Sequence, residues 1–153
     1  MKTTKSARQG IQRERENYGL RFRNPLNIRQ MPTFGSQGHC RRQRQEMGFY
    51  RFPHYDAGIC AAIRLAAYYI SRGGCDTVGK LLDHWAPSHP WAHELYVACV
   101  CGRCALSPSA PLRLHSTDFA RLLSAMARQE TGLRLSPLRV EELRDGMRLH
   151  RFA

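Results

Sequence analysis

The chain has 153 residues, 42% of them hydrophobic, which is enough for one domain with a real core and excludes a wholly disordered polymer. No apolar run approaches the ~20 residues of a membrane span, and the N-terminus has no apolar stretch of the kind a secretory signal needs. The net charge is +12 and lopsided: residues 1–55 hold 12 basic and 3 acidic side chains, residues 56–153 hold 12 and 9, and 21 of the 24 basic residues are Arg. Such a field draws polyanions, whether nucleic acid, anionic lipid or the acidic polymers of a bacterial cell wall. Tyr18, Phe22, Phe34, Phe49 and Tyr50 lie in the basic half, where aromatic rings can stack bases, but no nucleic-acid motif accompanies them.

In chain order, residues 1–19 are polar with little periodicity and read as a flexible basic arm. Residues 20–153 read as a single domain. Asn24-Pro25 signals a turn, and Leu26 to Arg29 alternates like a short strand. Met31 to Met47, rich in Gly, Gln and Arg, reads as an exposed loop. Phe49-Tyr-Arg-Phe52 alternates again and is expected to pair with residues 26–30 as a small hairpin. From Asp56, expected as an N-cap, the spacing predicts a helix to about Arg72, stopped by Gly73-Gly74. A short helix follows from Asp76 or Thr77 to Ala86-Pro87. Ser88 is the expected cap of a third, with Pro90 in its first turn, Trp91, Leu95, Ala98 and Cys99 on its buried side, and Gly102 at its end. Residues 105–115 form a connector. The last helix has Ser136 as cap, Pro137 first, and Val140, Leu143 and Met147 inward. The class is mainly α with a small β element near the N-terminus.

Ser116 to Gly132 is the most clearly bounded helix. Ser116 is a good N-cap, Asp118 places negative charge at the positive helix end, and Gly132 can take the left-handed stop. Phe119, Leu122, Leu123 and Met126 form an apolar stripe, and Glu130 falls four residues beyond Met126 on it. A carboxylate so placed either snorkels to solvent or is desolvated with a raised pKa.

Cysteines at 40, 60, 75, 99, 101 and 104, without a secretory signal, read as free thiols. Cys99, Cys101 and Cys104 with His84, His89 or His93 could make a zinc site, yet no second C-x-x-C stands at zinc-ribbon spacing and no HExxH is present. No metal and no cofactor are expected. A cysteine nucleophile with a histidine base stays open.

Several segments resemble, in order, a family of small phage and prophage proteins labelled virion structural proteins. They are Leu20-Arg-Phe-Arg-Asn-Pro-Leu-Asn-Ile-Arg29, Phe49-Tyr-Arg-Phe52, Asp76-Thr-Val78, Trp85-Ala-Pro87, His93-Glu-Leu-Tyr96 and Ala125-Met-Ala-Arg-Gln-Glu-Thr-Gly132. The last also resembles the helix-ending Glu-Ser motif of soluble lytic transglycosylases, whose glutamate is the catalytic acid. Asn24-Pro-Leu-Asn-Ile-Arg29 with Phe49-Tyr-Arg-Phe52 is similar to the turn and strand of bacterial glucosaminidases. In those lysozyme-like enzymes the glutamate helix precedes the sheet; here it follows. The resemblance therefore implies a lysozyme-like domain in circularly permuted order, which is physically cheap when termini lie close together.

What this implies is peptidoglycan cleavage with Glu130 as general acid. Hydrolases often add a second carboxylate, for which Glu94 is the best candidate, although a solvated helix edge explains Glu94 equally. Asn24, Asn27 and Arg29 from the β element and Tyr96 from the third helix are expected to bind the sugar. The partner is then peptidoglycan or another anionic polysaccharide, met at the bacterial cell wall or from a phage virion. The alternative is a non-catalytic phage or mobile-element structural protein that binds nucleic acid through its basic N-terminal region.

Overall fold

A computed structural model describes residues 17–30, 45–46, 48–86 and 89–149. The expected arm lies outside them except for residues 17–19, as do Ser88 and nearly all of the 31–47 loop. The described elements are α1 (Tyr18–Arg21), β1 (Gln45–Glu46), β2 (Phe49–Tyr50), α2 (Tyr55–Ser71), α3 (Val78–Trp85), α4 (Pro90–Cys104), α5 (Thr117–Thr131) and α6 (Pro137–Asp145). The chain is mainly helical, as its periodicity predicts.

Helix α5 packs against α4, α6 and α1, and its stripe explains why. Phe119, Leu122, Leu123 and Met126 are all fully buried, each contributing about 1.5–3 kcal/mol of transfer free energy. Ser116 accepts the Phe119 N–H at 3.1 Å, and Gly132 closes the helix at φ 77°. Both ends of this helix, and its inner face, match the sequence expectation.

Helix α2 supplies the opposing wall with Ile59, Ala62, Ile63 and Ala66. Its cap is His54, whose Nδ1 accepts the Ala57 N–H, and not the expected Asp56. Asp56 sits in the first turn and bonds Arg139 of α6 instead, tying the two helices together. Helix α3 begins at the expected Thr77, which accepts the Lys80 N–H. The 105–115 connector returns to this end, its Ala110 and Pro108 carbonyls accepting from Val78 and Gly79 at 3.0 and 2.7 Å. The unpaired N–H groups of the first turn are thereby satisfied.

Helix α4 departs from expectation. Its buried residues are Tyr96, Val100, Cys101 and Cys104, whereas Trp91 is 69% and Leu95 48% exposed. Apolar residues occur all round this segment, so spacing alone does not select the stripe; packing against α5 does. The helix also runs past Gly102 to Cys104, ending on Ala105 at φ 53°. Helix α6 starts at Pro137 as expected, with Val140 buried and Leu143 and Met147 half-buried against the core.

The β element also differs. Phe49–Tyr50 pairs antiparallel with Gln45–Glu46, and the 26–30 segment touches it through one backbone bond, Tyr50 N–H to the Ile28 carbonyl at 3.0 Å. Residues 24–28 form a tight turn, which removes the extended backbone a strand needs. Asn24 is fully buried and fixes that turn: its side chain accepts the Ile28 N–H at 2.9 Å and donates to the Ile28 and Tyr50 carbonyls at 3.0 Å each. The ordered body begins before Leu20, because Asn17 caps α1 and donates to the Thr131 carbonyl at 2.7 Å.

Candidate active site

The last turn of α5 carries Glu130 against the 24–29 turn. Asn27 stands in the left-handed region at φ 52°, which asparagine tolerates better than most residues. That conformation aims its side chain at α5, where Nδ2 donates to Glu130 Oε2 at 2.9 Å and to the Glu130 carbonyl at 3.1 Å. Thr131 locks the same junction by donating to the Pro25 carbonyl at 2.9 Å. Gly19 of α1 makes the approach possible, since a Cβ there would lie 2.3 Å from Asn27 Oδ1 and 2.3 Å from Thr131 Cγ2. The junction is specific to the fold and distant in sequence, joining residues more than a hundred positions apart.

Glu130 opens into a groove of about 770 Å³. The turn contributes Asn27, Ile28 and Arg29; α4 and α5 contribute Tyr96, Gln129 and Glu130; α2 and α3 contribute Leu65, Tyr69, His84 and Trp85. Tyr69 and His84 stack with ring centres 4.5 Å apart, and Trp85 stands edge-on to Tyr69 at 6.2 Å. Trp85 is pinned by its Nε1–H, which donates to the Leu26 carbonyl at 2.9 Å. One wall is therefore polar and the other an aromatic shelf.

Burial raises the Glu130 pKa; the Asn27 hydrogen bond, Tyr96 and the positive charge of Arg29 oppose the shift without cancelling it. A carboxylic acid in this setting holds its proton to higher pH than a solvated one. The Tyr96 hydroxyl is itself buried, has no well-formed hydrogen bond among the described residues, and is kept protonated by burial and by the adjacent Glu130 carboxylate. Arg29 lies over the Phe49 ring, 4.4 Å from its centre, which anchors the guanidinium at the groove mouth.

Of the six residues that the sequence singles out, Glu130, Asn27, Arg29 and Tyr96 converge on this groove. Glu94 is exposed on α4 and is not on the groove wall; two residues before Tyr96, it points to a different side of the helix. Asn24 is spent on the turn and has no surface to offer a ligand. Among the described residues no other Asp or Glu lines the groove. The sequence reading missed Tyr69, His84, Trp85, His89 and Gln129. Trp85, within the Trp-Ala-Pro segment, was the one with a signal.

Cys101 and Cys104 are buried with thiol pKa values raised by burial, as is Cys75, so none is a ready thiolate. Among the described residues no three His, Cys, Asp or Glu side chains gather as a metal site, and no helix is long and apolar enough to cross a membrane.

No protein-family model matches the chain. It is similar to Protein P5 of Pseudoalteromonas phage PM2, with 26% identity over 129 residues, covering 84% of this chain and 78% of that protein. The likeness to a phage protein agrees with the phage resemblance carried by the ordered motifs.

Proposed function

We propose that the protein is a peptidoglycan-cleaving glycosidase of lysozyme or lytic transglycosylase type, with Glu130 as general acid, on a lysozyme-like helical body in permuted order. The observation that carries this is a desolvated carboxyl group with a raised pKa lining a groove of about 770 Å³. Glu130 would give its proton to the glycosidic oxygen as the bond to the sugar breaks. Asn27 holds the carboxyl in place, and Tyr96 offers a hydroxyl to the same oxygen or to the substrate. Arg29 stabilises the carboxylate that forms as Glu130 gives up its proton, and the Tyr69, His84 and Trp85 rings supply apolar surface against which sugar rings pack.

Among the described residues Glu130 is the one carboxylate lining the groove, which favours the transglycosylase branch. With no second Asp or Glu among them to act as nucleophile or to activate water, the substrate's own acetamido and 6-hydroxyl groups complete the reaction. A zymogram on peptidoglycan tests the proposal: wild-type protein clears the gel, and Glu130→Gln, folded by circular dichroism, does not. Equal clearing by the variant would sink the assignment. The virion-protein reading, with nucleic acid on the basic N-terminal region, rests on the charge asymmetry and the phage likeness; it predicts a DNA mobility shift lost on deleting residues 1–16.

A further inference from the structure

A second recess, of about 430 Å³, lies on another face of α5 from Glu130. Four guanidinium groups share its rim: Arg103 from the end of α4, Arg121 and Arg128 from α5, and Arg134 from the loop that follows. Arg121 is tied to Asp118 and the Cys104 carbonyl, and Arg128 donates to the Gly132 carbonyl at 2.6 Å. These bonds fix two of the four side chains in place and leave most of their N–H groups for another partner. Arg103 and Arg134 have no hydrogen bond or ion pair among the described residues. Among the described residues no Asp or Glu lines the recess.

Like charges around one concavity repel one another, and of the four only Arg121 has a carboxylate partner among the described residues. That cost is relieved by one ligand: a compact anion with several acceptor oxygens. Guanidinium forks match phosphate geometry in pairs, and Arg is the residue suited to that task. The remaining walls are aliphatic, formed by residues such as Ala125, Leu133 and Leu135, and no aromatic ring is present to stack a base.

We propose that this recess binds the phosphate ester of an aliphatic polyol, of which glycerol phosphate is the simplest example. The phosphate is held by the arginine rim, and the carbon chain lies on the aliphatic wall. The site uses none of the residues of the Glu130 groove, so it stands or falls independently of the glycosidase reading.

The test is calorimetric titration of the full chain with glycerol 1-phosphate, alongside flotation with phosphatidylglycerol or phosphatidylcholine vesicles. Saturable binding of glycerol phosphate is expected, weakened about tenfold by Arg103→Ala or Arg134→Ala, as loss of one charged hydrogen-bonding group implies. Glu130→Gln should leave it unchanged. Flotation with phosphatidylglycerol alone, lost in the arginine variants, identifies a lipid headgroup as the source. Glycerol phosphate binding without flotation identifies a free or polymer-borne phosphate. Absence of saturable binding, or wild-type affinity retained in both arginine variants, would overturn the proposal. So would a single-stranded oligonucleotide that outcompetes glycerol phosphate at equal phosphate and is lost on the same substitutions.

Discussion

Asn27 donates one amide group to two acceptors of the same residue, the side-chain Oε2 and the backbone carbonyl of Glu130. The two bonds fix the carboxyl relative to its own helix, so the acid is positioned from the turn across the groove and not by α5 alone. Asn27→Ala removes both bonds and puts an alanine into a left-handed backbone. Stability should fall by about 1–3 kcal/mol. The Asn27 bond lowers the Glu130 pKa, so its loss should also move the high-pH limb of activity upward, measured as rate against pH.

The raised pKa of Glu130 has a consequence for stability. Its native pKa lies above the unfolded value, so the native state holds the proton more tightly. The associated stability is fully present below the ordinary carboxylate range near pH 4.3 and is lost as pH rises through the native pKa. Glu130→Gln cannot ionise and should melt higher than wild type at pH 7. The gap should close toward pH 4. Thermal unfolding across that range checks it; a variant less stable at neutral pH would contradict the burial argument.

Tyr96 carries a buried hydroxyl without a well-formed bond. Tyr96→Phe therefore removes a polar group that contributes little to the fold, and stability should stay within about 1 kcal/mol of wild type. Activity should fall nonetheless, by about tenfold or more, if the hydroxyl donates to the substrate or to the departing oxygen. Chemical denaturation and rate measurement on the same preparation separate the two effects.

Gly19 is remote from the groove in sequence yet controls its geometry. Gly19→Ala places a carbon 2.3 Å from both Asn27 and Thr131, so the turn must shift away from α5. A loss of about 1–3 kcal/mol is expected from the overpacking, together with reduced activity although every groove residue is intact.

How much of this was legible beforehand depends on what type of force set each feature. Helix α5 was readable to both ends because its cap, stripe and stop are all local signals that agree. The buried side of α4 was not, because Trp91, Leu95, Tyr96 and Val100 surround the helix and only the neighbour decides which are covered. The turn was visible in Asn24-Pro25, but not that Asn24 and Asn27 divide its work, one inward to the backbone and one across to Glu130. Glu94 drew attention as a carboxylate near Tyr96; positions two apart on a helix face different ways, and among the described residues no second carboxylate lines the groove. The aromatic shelf escaped notice because Tyr69 and Trp85 meet only through tertiary packing of α2 on α3.

The central claim is that Glu130 is the acid that cleaves a glycosidic bond. The most direct measurement is product release from purified peptidoglycan by wild-type and Glu130→Gln protein, with mass analysis of the fragments. Wild type should release saccharide fragments ending in 1,6-anhydro sugars, with the variant slower by about 100-fold to 10⁴-fold. Release at equal rates by a folded Glu130→Gln protein, or no release by either protein, would contradict it.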